Sequence, residues 1–457
     1  MEKTRVKDFT EGNITKQLIL FSLPLFMSNL LQVVYNMVDM IVVGKVLGKV
    51  GTSAVAVGGD VSNLLTFIAM GFSSAGQVLI AKLIGRGERE KLGKFVGTMS
   101  GFLLVCALAV SVVGIACQGP LLSVMNTPKE SYEGAKSYAT VCMCGMVFIY
   151  GYNVVSAILR GMGDSKSPFI FITIGAVLNI ILDVVFVVFL SMGAFGAGLA
   201  TVISQAVSFL SCTVFLVKKR KEYYLNVNGR EFFRWDRQML GALVKLGTPM
   251  AIKTASIQVS KLFVNSWINS YGVAVSAFAG IANKVSSIAN LISQAMNTAG
   301  STMVGQNIAS GKNKRVAGVL IRLAGITLTV STVMSLAIVL FPTQIFGIFT
   351  KGSDGDVLAI AKGFVPIAIL LFFGSSLRSV MNAFLNGSGN VKVNFATAIF
   401  DGIIMRIGLS LLFGLAVGMK HYGFWLGDAI AGFTPFFIGI VYYFFGKWKK
   451  SDESEKE

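Results

Sequence analysis

The chain has 457 residues, of which 54% are hydrophobic and 14% charged, and its mean hydropathy is +0.71. A soluble domain spends roughly a quarter of its residues on charge, so a water-soluble fold is excluded. The formal charge of +18 would suggest a nucleic-acid partner in a soluble protein, but the basic residues sit mainly in alternate short loops between apolar runs, so no nucleic acid is expected.

Apolar runs of spanning length occur near 15–44, 53–84, 95–117, 132–159, 167–190 and 195–217. A second set follows near 239–270, 276–308, 316–341, 357–385, 393–417 and 422–446. The fold class expected is an all-α integral membrane protein of about twelve transmembrane helices. The first run contains Pro24 and Asp39 and exceeds a signal-peptide core, so it reads as a retained helix. Clusters such as Arg86, Arg89, Lys91 and Lys94, or Lys218, Lys219, Arg220 and Lys221, fall on one side under the positive-inside rule, which places both termini in the cytoplasm. With no soluble presequence, a bacterial inner membrane is the simplest location, with the bilayer itself as a partner.

The two sets repeat each other. Ser74-Ala75-Gly76 with Gly87 corresponds to Thr298-Ala299-Gly300 with Gly311, Leu23-Pro24 to Thr248-Pro249, and AILRGMGD (157–164) to AFLNGSGN (383–390), all at an offset of 224 to 226 residues. An even number of spans per repeat gives the halves one orientation, as in one class of secondary transporter with a cavity between its lobes. The expected division is a six-helix lobe over 1–217, a cytoplasmic linker over 218–238, a second six-helix lobe over 239–446 and a cytoplasmic tail over 447–457, whose SDESEKE stretch from 451 reads as disordered.

Carboxylates inside the hydrocarbon cost a few kcal/mol on insertion scales. Asp39 and Asp183 stand out, at depths of roughly 34 Å and 24 Å along the first and fifth runs. Gln32, Tyr35, Asn36 and Asp39 follow i, i+3, i+4, i+7 spacing, and Asn179 and Asp183 are i, i+4, so both stripes point into a lobe interior. A pocket of carboxylates, amides and a phenol would hold a proton, or a sodium ion among oxygen ligands, with Asp39 and Asp183 as the metal-binding pair. The alternative is an Asp that caps a helix or bonds a neighbouring helix. In the eighth run Asn283, Ser287, Asn290, Gln294, Asn297 and Ser301 form one polar face, which either lines a wet substrate path or glues helices together.

The second half carries Lys253, Lys261, Lys284 and Arg406 in apolar runs. They either snorkel or neutralise Asp401 and Asp428, or, facing a cavity, favour an anionic substrate. Gly161-Met162-Gly163-Asp164 resembles an intramembrane protease motif, but its repeat at 387–390 ends in Asn390, so both read as turns. His421 is the single histidine and no Walker A sequence occurs, which excludes HExxH zinc sites, a histidine triad and ATP-driven transport; the protein is not expected to be an enzyme or to carry a cofactor. Five cysteines lack metal-ligand spacing.

SLPLF at 22–26, YNMVDMIVVG at 35–44, AILRGMGDSKSP at 157–168, LNIILD at 178–183 and GQNIASG at 305–311 together make the chain resemble the multidrug and toxin extrusion (MATE) transporters over nearly its whole length. The resemblance implies multidrug efflux of amphipathic, often cationic, small molecules in antiport with protons or sodium. In the prokaryotic branch with a first-lobe coupling site, the functional cluster maps here onto Asp39, Tyr35, Asn153, Asn179, Asp183 and Thr201. Asn153 fits the depth estimates less well than the others. The branch with an acid in the seventh helix is not matched, because Pro249 is followed by Lys253. The expected substrate cavity takes in Gln32, Asn36, Asn283, Ser287, Asn290, Gln294 and Lys253, and a monomer is expected. A lipid-linked precursor flippase of the same superfamily, and a non-transporting membrane receptor or scaffold, are the competing readings.

Overall fold

The computed structural model describes residues 4–125, 127–225, 235–347 and 355–449; residues 226–234 of the linker and 450–457 of the tail lie outside the described residues. Long apolar runs have one solution in lipid other than a closed barrel, because every backbone N–H and C=O must be satisfied within the segment. Accordingly the regular elements are helical. They are α1 (Ile14–Gly85), α2 (Leu92–Val124), α3 (Lys129–Cys144), α4 (Met146–Gly161), α5 (Lys166–Asp183), α6 (Gly193–Lys218), α7 (Arg237–Asn269), α8 (Val273–Ala309), α9 (Asn313–Leu340), the short α10 (Pro342–Gly347), α11 (Gly355–Ser388), α12 (Val391–Ile399), α13 (Met405–Leu411), α14 (Lys420–Ala431) and α15 (Thr434–Phe445).

Nine described helices are long and apolar enough to cross a membrane, and α3 with α4, bent by 51° at Gly145, makes a tenth span. The 72-residue α1 is two spans in one helix, since Gly48 has φ 63 and ψ −156, outside helical geometry. α7 has the length of a span but carries Lys245, Lys253 and Lys261, which lower its hydropathy. Together these account for twelve spans. The outward surfaces are apolar, as lipid requires: Val112, Val273, Phe444 and Phe445 are exposed by 69%, 88%, 68% and 84%.

Packing divides the chain into two compact units, Met1–Asp8 with Leu23–Ala251, and Phe9–Ser22 with Ile252–Glu457. This division cuts through α1 and α7, whereas the sequence suggested a cut at the linker. In the second unit, Gln306 accepts the Phe9 N–H at 2.8 Å, and Asn307 and Arg315 donate to the Phe9 carbonyl. In the first unit, Leu243, Leu246 and Met250 of α7 belong to the apolar core that Ile80, Met99 and Ile158 also build. Pro24, next to the unit boundary inside α1, removes one helical N–H, and α1 continues through it.

The described part of the linker packs on the first unit. Tyr223 is fully buried and donates its hydroxyl to Asp164, and Lys219 and Arg5 hold the Glu222 carboxyl below its usual range through hydrogen bonds. Asp164 also accepts from the Ser167 N–H and hydroxyl at 3.0 and 2.6 Å, opening α5. Asn390 accepts the Val393 N–H in the same way and opens α12, so the two GxG segments are indeed turn chemistry.

The repeat reaches down to backbone contacts. A Cβ at Gly161 would lie 2.8 Å from the Gln77 carbonyl oxygen, and one at Gly387 would lie 2.8 Å from that of Ser301. Gly161→Ala or Gly387→Ala therefore forces a rigid helix away from its neighbour. The overpacking costs about 1–3 kcal/mol, more than the ~1 kcal/mol of helix propensity that alanine supplies. A lowered Tm of the detergent-solubilised variant is the expected result, and an unchanged Tm would show that the contact is soft.

Candidate functional site

In the first unit, α1 carries Tyr35 and Asp39, α3 carries Tyr138 and Cys142, α5 carries Asn179 and Asp183, and α6 carries Thr201 and Gln205. Asp39, Asn179 and Asp183 are buried, with exposures of 7%, 3% and 0%. The Asp39 charge acts on Asp183, Tyr35, Tyr138 and Cys142, so acidic side chains 144 positions apart in sequence face one interior. Asp183 ends the regular part of α5, and a π-helical turn, Val184–Phe189, follows it, the kind of local unwinding that often marks a functional position.

Four polar atoms of this group have no hydrogen-bond partner: Asp39 Oδ1, Asp183 Oδ1 and Oδ2, and Asn179 Nδ2. Gln205 lies beside Tyr35 and Thr201 beside Tyr138, and the Thr201 hydroxyl donates to the Ala197 carbonyl of its own helix at 3.1 Å. A small void of about 10 Å³ is lined by Tyr35, Asn179, Thr201 and Gln205 among others. That volume holds about one water-sized species. Buried carboxylate oxygens without donors are costly to keep ionised, and neither Asp39 nor Asp183 is among the residues that line this void.

The other residues expected here are less central. Gln32 is half-buried and Asn36 is exposed. Asn153 is half-buried and donates its amide to the Ile149 carbonyl of its own helix at 2.8 Å. Gln205 and Tyr138, which sequence reasoning missed, join the group; Gln205 lies one helical turn beyond Thr201, and that i, i+4 spacing was the available signal.

The second unit holds a cavity of about 70 Å³. Lys261 of α7, Asn283 and Asn290 of α8, Arg378 of α11, Arg406 of α13 and Asp428 of α14 supply its polar lining. Arg406, 1% exposed, pairs with Asp428 and, at 3.2 Å, with the fully buried Asp401; Arg378 reaches the same Asp401 oxygen at 3.2 Å. Asp401 lies in a second π-helical turn, Phe400–Ile404. Arg406 thus neutralises Asp401 and Asp428. Lys253 is buried, donates to Asn382 and is not among the residues that line this cavity.

The polar face of α8 is divided between two roles. Asn283 and Asn290 line the cavity, while Asn297 accepts from Ser301 and Asn386 as helix-to-helix glue. Ser287 and Gln294 are exposed, and the Ser287 hydroxyl bonds back to the Asn283 carbonyl. Arg378 was missed, although it shares the signal that marked Arg406, a cation inside an apolar run.

A family model, MatE, matches residues 24–185 and again 249–422, most of the chain, and the two matches start at Pro24 and Pro249, the positions of the internal repeat. The chain belongs to the MatE family. Among curated MatE-like relatives, the probable multidrug resistance protein YpnP of Bacillus subtilis is 28% identical over 443 residues, 97% of each chain. The probable multidrug resistance protein NorM of Thermotoga maritima is 27% identical over 451 residues, covering 96% of this chain and 94% of that one. Among solved structures, a multidrug resistance MATE transporter in an outward-facing conformation superposes with a TM-score of 0.88 at 22% identity, over 99% of this chain and all of the other. These matches establish the all-α MATE fold and its multi-pass membrane character for this chain.

Proposed function

We propose that this MatE protein exports small amphipathic organic molecules across the bacterial inner membrane in exchange for protons or sodium, with both termini cytoplasmic. One observation supports the coupling assignment: Asp39 and Asp183, from different helices, are both buried within electrostatic reach of each other, and Asp39 Oδ1 and both Asp183 oxygens lack partners. The relatives' names as multidrug resistance proteins support the class of cargo.

In this reading the cation enters between Asp39 and Asp183, with Asn179, Tyr35 and Thr201 as neutral oxygen or amide neighbours. Loading removes an uncompensated negative charge from the interior of the first unit, which lets α1 and α5 pack more closely and changes the bend of α1 near Pro24. A ligand shifts a conformational equilibrium only through its different affinity for the two states. Here the difference is the closeness of the two acids. Asn153 is a more distant member of the group.

The test is flux in proteoliposomes with a pH gradient and a sodium gradient imposed separately. One of the two gradients is expected to drive uphill accumulation of a fluorescent dye, and the other is not. Accumulation with neither gradient present would reject antiport and restore a passive or receptor-like role.

A further inference from the structure

We infer that the cavity in the second unit binds the anionic group of a ligand with an apolar body. The inference deepens the transport reading by naming a substrate class, and it runs against the cationic preference that family resemblance implies.

Charge balance is the first support. Arg378 and Arg406 are matched by Asp401 and Asp428. Lys261 is not: it lines the cavity and makes no ion pair or hydrogen bond among the described residues. Lys253, buried on the same helix, has the neutral Asn382 as its hydrogen-bond partner and no ion pair among the described residues. Two cations beyond the number of acids therefore stand in or beside one interior cavity, and an anion is the ligand whose binding compensates them.

Donor geometry is the second. The Ser375 hydroxyl lies 2.9 Å from the Ser293 hydroxyl and 3.1 Å from the Asn290 carbonyl oxygen, and Asn290 lines the cavity with its amide. Asn283, on the same face of α8, adds a second amide. The Nε of Arg406, on a side chain 1% exposed, is a buried donor without an acceptor. A lysine and two amide side chains line one space, a donor set that a carboxylate, sulfonate or phosphate accepts from.

Shape is the third. The cavity has room for about five waters, enough for one oxyanion group. Its apolar wall includes Phe364, Phe372 and Trp425 beside Val264, Ile268 and Leu371, and Phe364 and Trp425 stand edge to face at 5.1 Å within a larger aromatic cluster. An aromatic or acyl body attached to the anion would lie against that wall. A soluble organic anion and an anionic lipid headgroup share this chemistry.

The experiment is equilibrium titration of the full-length protein in phosphatidylcholine nanodiscs with two probes of one aromatic body, naphthalene-1-sulfonate and 1-naphthylmethylammonium. The sulfonate is expected to bind at least about tenfold more tightly than the ammonium. Lys261→Gln is expected to weaken sulfonate binding by about tenfold with an equal or higher ligand-free Tm, because no ion pair is broken. Lys261→Glu should reverse the preference between the probes. Ammonium binding as tight as sulfonate binding, or an unaltered sulfonate affinity in Lys261→Gln, would overturn the proposal. Adding phosphatidylglycerol to the nanodisc separates the sources: competition with the sulfonate supports a lipid headgroup, and no competition supports a soluble anion. The titration needs no ion gradient, so its failure and the failure of the antiport assay are read independently.

Discussion

Asp183→Asn is expected to abolish gradient-driven efflux in proteoliposomes, lowering it more than about tenfold toward the protein-free leak, while the protein remains folded with an equal or higher Tm. The expectation of intact folding follows from burial. Asp183 is fully inaccessible and neither carboxylate oxygen has a donor, so an ionised carboxylate there opposes folding, and a neutral amide of the same shape does not. The loss of transport follows from chemistry: an amide neither takes up a proton nor offers the charge that attracts sodium. Asp39→Asn should behave likewise, since Asp39 shares the same interior and one of its oxygens is also unpartnered. Stability and flux thus move in different directions, which a merely structural carboxylate would not produce. Full efflux by either variant in vesicles would remove that residue from the coupling site.

The second large effect concerns Arg406. Arg406→Met leaves Asp401, fully buried, with Arg378 as its remaining ion-pair partner and strips Asp428, 22% exposed, of its ion-pair partner among the described residues. Breaking a buried pair by removing one member costs about 3–5 kcal/mol, because the other charge is stranded. A large fall in Tm, or failure to accumulate in the membrane, is therefore expected. Arg406→Met with Asp401→Asn and Asp428→Asn should recover much of the loss, since the whole network can be replaced at little net cost. A triple variant no more stable than Arg406→Met would show that the guanidinium acts through packing rather than through charge. The contrast with Lys261→Gln is informative, because a cation without a partner can be neutralised without stranding anything.

Which residues matter was more legible than how they are arranged. Hydropathy found the spans because lipid demands a long apolar helix, and the internal repeat was visible because both halves reuse the same turn residues, now seen as Asp164 and Asn390 opening α5 and α12. α7 shows the limit of hydropathy: its lysines fall inside a helix of spanning length, held there by Asn382 and by the polar cavity. The division between units was not legible, because Phe9–Ser22 is local in sequence to α1 but is packed by Gln306 and Asn307.

By itself the sequence determined the membrane class, the twofold plan, the buried acids of the first half and the surplus of bases in the second, all of which follow from residue type and from periodicity along single helices. The tertiary structure alone decided that Asp39 and Asp183 come within electrostatic reach of each other, that Asp401 and Asp428 pair with Arg406 and Arg378 but not Lys261, and that Lys253 turns to Asn382. The physical reason is rotation about helix axes. A helix fixes which of its own side chains share a face, but the neighbour which that face meets is set by the packing of whole helices, and no local pattern encodes that angle.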